Sequence, residues 1–281
     1  MIEATVSHGF SDRPLLFVAT IRGVSRRRPG PPALLALGVL LSACAPSPRA
    51  APLPSREVEE ALRLPGHRWR RIRYLQFVPK SAEGTTERWP LILFLHGAGE
   101  RGNDLKDVER EGLPWLLKDR NEFPFLVVAP QCPFPDDWSL FALDALLDHV
   151  LTTLPVDQRR IYATGLSAGG SAALDLAAAR PGRIAAVVAV SINRGPSNPC
   201  RLRSVPVWII HNRGDERIPW RRASRVAREL EGCGGEVRLT IRPEEGHDAW
   251  TRAYGERAIY DWLLQHRSPI SETSSQRFLV H

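Results

Sequence analysis

An α/β architecture, with a mostly parallel central sheet and helices on both faces, is expected from three features of the chain. Its 281 residues are 43% apolar and 25% charged, with 21 Gly and 24 Pro, a globular composition large enough for a sizeable core. Short continuous apolar runs recur along it, as in strands covered on both faces. Segments with helical apolar spacing lie between those runs, and that alternation is the mark of a parallel sheet.

The elements follow in order. Arg71-Ile72-Arg73-Tyr74 alternates within Arg70 to Pro79 and predicts a half-buried strand, and Leu91 to Leu95 predicts a fully covered one. Similar runs recur at Phe125 to Ala129, Ile161 to Thr164, Ala186 to Val190 and Val205 to Ile210. Helices are predicted from Leu140 to Leu151 behind a capping Ser139, from Ala172 to Ala179 and from Val226 to Leu230. Glu236 to Arg242, with Val237, Leu239 and Ile241 facing one way, predicts a strand near an edge, and a final helix runs from Tyr254 to Gln265. No internal repeat or linker interrupts residues 60–266, so they form one domain; residues 267–281 are polar and predict a flexible tail.

The chain's beginning has its own organisation. Arg26-Arg27-Arg28 followed by the apolar run Ala33 to Ala43 predicts a secretory signal over residues 1–43, complete without the patternless first 23. The run is shorter than the about 20 residues a bilayer span requires. Its end, Leu41-Ser42-Ala43-Cys44, resembles the bacterial lipobox, in which the Cys is acylated and becomes N-terminal. Cys44 is then a lipid attachment, residues 44–59 are a Pro-rich tether, and the protein is an exported lipoprotein facing the periplasm or cell exterior. The alternative is ordinary cleavage after Ala45 and a soluble exported protein. Three Cys remain in an oxidising compartment; Cys200 and Cys233, both in Gly/Pro-rich loops, are the expected disulfide, leaving Cys132 a buried thiol.

Composition also excludes chemistries. The net charge of +7 comes from 38 basic and 31 acidic residues, but the Arg are dispersed and do not alternate with aromatics in a basic run, so nucleic acid is not an expected partner. No His or Cys pair has metal-ligand spacing, and no metal or cofactor is expected. His96-Gly97-Ala98-Gly99-Glu100-Arg101-Gly102 matches a dinucleotide fingerprint, but no helix pattern opens at the third Gly and no acid ends the next strand, at Ala129-Pro130-Gln131.

The most informative segment is Gly165-Leu166-Ser167-Ala168-Gly169-Gly170, a Gly-x-Ser-x-Gly turn between a strand and a small-residue helix. Ser167 is the candidate nucleophile. A serine hydroxyl needs a base, and the base needs an acid that sets its tautomer. His247 is the candidate base, in the loop Glu244 to Trp250 after the last strand, and Asp215 the acid, directly after the strand Val205 to Ile210. Glu216 is out of register with the Gly-Asp turn, and Asp248 is too close along the backbone to reach the ring of its neighbour His247. The glycine loop after Leu95 is the expected oxyanion donor, with the amides of Ala98 and Ala168 aimed at the site. His96 and His211 are read as structural, and Trp138 and Trp250 as candidate walls of the substrate cleft.

With these motifs in this order, the segment from about Arg70 to His266 resembles the α/β-hydrolase superfamily. It is most similar to secreted esterases near the feruloyl esterases, polyhydroxyalkanoate depolymerases and the carboxylesterase/phospholipase group, including predicted peptidases. The resemblance rests on the glycine loop, Ala129-Pro130-Gln131-Cys132-Pro133, the serine turn, Gly214-Asp215 and Gly246-His247-Asp248-Ala249-Trp250. It implies a serine hydrolase acting on a small or polymer-linked ester through an acyl-enzyme, with the α/β-hydrolase fold. The segments Ala129 to Arg160 and Val190 to Val205 are too short for a large cap domain. A peptidase on the same groups, an acyltransferase and a non-catalytic binding module are the other readings.

Overall fold

A computed structural model describes residues 58–269. The expected signal segment, the lipid attachment at Cys44, nearly all of the tether and the tail beyond residue 269 lie outside the described residues. Eight strands form one open sheet in the order β1-β2-β4-β3-β5-β6-β7-β8. They are β1 (Val58–Arg63), β2 (Arg71–Phe77), β3 (Trp89–Leu95), β4 (Leu126–Pro130), β5 (Val156–Leu166), β6 (Ala186–Val190), β7 (Val207–Gly214) and β8 (Val237–Glu245). β1 and β2 run antiparallel to their neighbours, and β4, β3 and β5 to β8 are parallel.

The helices are α1 (Gly112–Leu117), α2 (Leu140–Thr153), α3 (Ala168–Ala179), α4 (Arg221–Gly232), α5 (Trp250–Gly255) and α6 (Arg257–Leu264). Strand side chains alternate between two apolar layers, as a period of two requires. Along β3, Leu91, Leu93 and Leu95 join the layer shared with α2, α3 and α4, whereas Ile92 and Phe94 join the one shared with α1, α5 and α6. α2 begins at the expected cap: Ser139 Oγ accepts the amide of Ala142 at 3.3 Å. α4 buries Ala223, Val226, Ala227 and Leu230 at helical spacing and keeps its Arg side outward.

Several boundaries differ from expectation. β1 starts at Val58, inside the stretch expected as tether, and supplies the edge that buries β2 beyond Tyr74. α1 and the 3-10 turn Leu105–Arg110 fill a stretch whose charge and Pro114 gave no helical period. The final helix is two helices parted at Glu256, which pairs with the buried Arg242 at 2.7 Å. Past the expected end of the domain, Ser268 is buried and donates its amide to Arg159 O at 2.9 Å. Cys200 and Cys233 form a disulfide with Cα atoms 4.9 Å apart, and Cys132 is a buried free thiol. Among the described residues, no inserted domain covers the carboxyl edge of the parallel strands.

Candidate active site

The centre of that edge is the turn from β5 into α3. Ser167 sits between them with φ 52° and ψ −114°, a conformation that costs an L-residue about 1–3 kcal/mol. The surroundings hold it there. Its amide donates to Val190 O at 2.8 Å, and its carbonyl accepts the amide of Ser171 at 3.2 Å. A Cβ on Gly165 would lie 2.5 Å from both Leu95 O and the carbonyl carbon of Gly169, and one on Gly169 would strike the backbone of Leu95 and His96. Only glycine lets β3, β5 and α3 come this close.

β7 and β8 bring two further side chains to the same point. Asp215 directly follows β7, and His247 follows β8 after Gly246, whose φ is 78° and whose amide bonds Gly214 O at 3.0 Å. His247 Nε2 is 3.1 Å from Ser167 Oγ, and His247 Nδ1 is 2.6 Å from Asp215 Oδ2. The carboxylate selects the tautomer: Nδ1–H donates to it, leaving the Nε2 lone pair facing the serine hydroxyl. Asp215 is buried, and its Oδ1 accepts the amides of Arg217 and Ile218, each at 2.9 Å. Glu216 is exposed, and Asp248 caps Thr251 instead of reaching the ring.

Three supporting groups were missed or left without a detailed role in the sequence. His211 is fully buried, with Nε2 2.8 Å from Ile218 O and 3.1 Å from Asp215 Oδ2, and desolvation holds its pKa below the usual value. Ser191 Oγ donates to His247 O at 2.8 Å. Asn212 Nδ2 donates to Asp248 O at 3.1 Å and to Gly246 O at 3.3 Å, framing the His247 loop. Their one sequence signal is position at the carboxyl end of β6 or β7.

The glycine loop packs on the serine turn. A Cβ on Gly97 would lie 2.8 Å from Leu166 Cδ1 and 3.6 Å from Ser167 Cβ. Among the described residues the Ala98 amide meets no protein acceptor. Ala168 opens α3, so its amide has no partner within the helix. His96 braces the loop: its Nδ1 donates to Gly97 O at 2.6 Å and its Nε2 accepts the Cys132 amide at 2.9 Å. Burial pushes its pKa down to about 4, with Arg101 adding to the shift, so the ring is neutral. Glu100 is buried beside it, its Oε2 3.8 Å from His96 Nδ1 and without a hydrogen bond among the described residues; burial first, then the charge of Glu111, raises its pKa.

Trp138 packs against the glycine loop, and Trp250 against the His247 ring. Trp138 Nε1 donates to His96 O at 3.3 Å, and its ring lies 4.7 Å from that of His96. Trp250 is buried edge-on against His247 at 5.2 Å, and its indole donates to Glu111 at 2.7 Å. No sequence pattern links Glu111 to Trp250, because they meet only through the packing of α1 on α5.

Among solved structures, the chain is similar to a thermostable esterase at 28% identity and a TM-score of 0.66, covering 76% of this chain and 63% of that one. It thus spans less than two thirds of that protein's length. Its fold is also similar to that of Est1E from Butyrivibrio proteoclasticus, at 17% identity and a TM-score of 0.55, covering 74% of this chain and 98% of that one. A ferulic acid esterase aligns at 19% identity and a TM-score of 0.54, covering 74% and 96%. No curated protein matches the chain. The Esterase family model matches residues 116–257, half of the chain, a stretch that includes Ser167, Asp215 and His247. The chain belongs to the Esterase family and has the α/β-hydrolase fold.

Proposed function

We propose that this hydrolase is an exported serine esterase that cleaves carboxylic esters through an acyl-enzyme. The observation that carries the reading is the continuous hydrogen-bonded chain Ser167–His247–Asp215, 3.1 and 2.6 Å long in its two links, built on a serine held in a strained turn. Ser167 Oγ attacks the acyl carbon as His247 Nε2 takes its proton, and Asp215 stabilises the imidazolium that forms. The amides of Ala98 and Ala168 receive the oxyanion. His247 then gives the proton to the departing alcohol, takes one from water and returns Ser167 to its free state, releasing the acid.

The uncapped edge favours small or polymer-linked esters, with Trp138 and Trp250 as walls of the cleft. Export and anchoring through Cys44 belong to the same proposal; mass spectrometry of the mature N-terminus distinguishes an acylated Cys44 from a chain cut after Ala45. The central test is labelling by a fluorophosphonate, followed by turnover of p-nitrophenyl butyrate against a peptide anilide. Labelling at Ser167 and preference for the ester are expected. Absence of label at Ser167 sinks the mechanism, and faster anilide cleavage reassigns the site to peptide bonds.

A further inference from the structure

The carboxyl edge of the sheet carries a second surface, beside the site and unused by its chemistry. β2 runs antiparallel to β4, with Tyr74 opposite Pro130, and β1 returns beside it, with Arg63 opposite Arg71. The β1–β2 turn therefore lies at the same edge as Ser167. Arg63, Arg68, Arg70 and Arg71, with His67, line an open cavity of about 910 Å³ there. Arg68 pairs with Asp136 at 3.4 Å, whereas Arg63, Arg70 and Arg71 form no ion pair among the described residues. Of the acids nearby, Asp136 is matched by Arg68, Asp137 by Arg101 and Glu59 by Arg73, which leaves Glu60 of β1 against three unpaired arginines among the described residues.

Next to these cations the segment after β4 leaves large apolar side chains in solvent: Phe134 is 74% exposed, Phe141 60% and Leu140 37%. The two parts are one surface. The His67 ring stacks on Phe141 at 5.0 Å, its Nδ1 accepts the Trp69 amide at 3.0 Å, and its Nε2 meets Ser139 Oγ at 3.1 Å. Beneath them Trp69 packs against Trp138 at 6.2 Å.

A folded protein in water gains nothing by exposing phenylalanine rings beside unpaired guanidinium groups. An anionic bilayer rewards both, since guanidinium groups meet phosphate and aromatic rings settle at the level where headgroups give way to acyl chains. We infer that the surface formed by the β1–β2 turn and residues 133–141 docks on an anionic phospholipid bilayer, turning the Ser167 edge of the sheet toward the lipid. The charge complementarity argues for this occupant, and the inference does not depend on the ester chemistry proposed above.

Flotation of the full chain carrying Cys44→Ser, so that no acyl group at that position contributes, tests it. Vesicles of phosphatidylglycerol mixed with phosphatidylcholine are compared with vesicles of phosphatidylcholine alone. Tighter partition onto the anionic vesicles, weakened by salt, is expected. At about 1 kcal/mol per arginine near such a surface, Arg63→Gln/Arg70→Gln/Arg71→Gln lowers the partition on the order of 100-fold. Phe134→Ser/Phe141→Ser lowers it as well. All variants keep wild-type melting temperatures, which shows them folded. Equal partition onto the two kinds of vesicle, or undiminished partition of the triple Arg variant, overturns the inference. So does capture by soluble dextran sulfate without any vesicle binding.

Discussion

Gly165→Ala asks how tightly the serine turn is built. The new Cβ would lie 2.5 Å from Leu95 O, 2.5 Å from the Gly169 carbonyl carbon and 2.6 Å from Gly169 O. Ordinary contact begins near 3.4 Å, so β3, β5 and the start of α3 must part by about 0.9 Å. None of the atoms struck is the free end of a side chain. β5 is also paired on both sides, Gly165 lying opposite Leu95 in β3 and Ala189 in β6, so the strain passes into the turn that carries Ser167. A misplacement of about 1 Å at a reacting group costs about 100-fold in rate. Overpacking adds about 1–3 kcal/mol of destabilisation, which lowers Tm by roughly 3–10 °C for a domain of this size. The readouts are kcat for p-nitrophenyl butyrate and the melting curve. Gly232→Ala, whose Cβ meets nothing within 4 Å, is the control and leaves Tm unchanged or slightly raised. Wild-type kcat and Tm in Gly165→Ala would refute the argument from close approach.

Ser167→Ala is expected to lower kcat on the order of 10⁶-fold while leaving the melting curve nearly unchanged; a tenth of wild-type turnover would remove Ser167 from the mechanism. His211→Phe deletes the second N–H beside Asp215 and should cost roughly ten-fold in kcat, at about 1.5 kcal/mol for a hydrogen bond to a charged group; unchanged kcat would make His211 packing alone. Cys200→Ser/Cys233→Ser opens a link between positions 33 apart in sequence, and should cost about 3–4 kcal/mol and roughly 10 °C in Tm; a shift within error would show the link to be dispensable. His96, lowered to about 4 by burial, takes up its proton later than in the unfolded chain. Its contribution is complete above the unfolded pKa of about 6.5 and declines as pH falls, by roughly 2–3 kcal/mol at pH 4.5. Glu100, shifted upward, acts in the opposite sense, its cost being relieved in acid. Urea unfolding at pH 7 and pH 4.5 should show a smaller pH dependence in His96→Asn than in wild type; equal dependence contradicts the assignment.

The strands of the parallel sheet were legible because burial on both faces leaves an unbroken apolar run, and β6 matches its predicted limits, Ala186 to Val190. Ser167, Asp215 and His247 could be singled out as candidates because each lies in a turn or loop directly after a parallel strand, β5, β7 and β8, and the glycines at 165 and 169 mark where backbone must approach backbone. β1 was hidden because Val-Glu-Glu-Ala-Leu-Arg at a solvent-exposed edge has no apolar period to read. α1 was hidden by its length and by Pro114. The division of the last helix at Glu256 depends on Arg242, a residue of another element. The same holds for Glu111 on Trp250 and for His67 under Phe141: contacts distant along the chain leave no local trace.

The Cys200–Cys233 link encloses β7, Asp215 and α4 in a single covalent ring. A proteolytic clip anywhere inside that ring would leave both halves of the polypeptide joined. Such a nick would escape notice on a non-reducing gel and separate into two fragments only after thiol treatment. The acid partner of His247 thus sits on a segment that one cut cannot release.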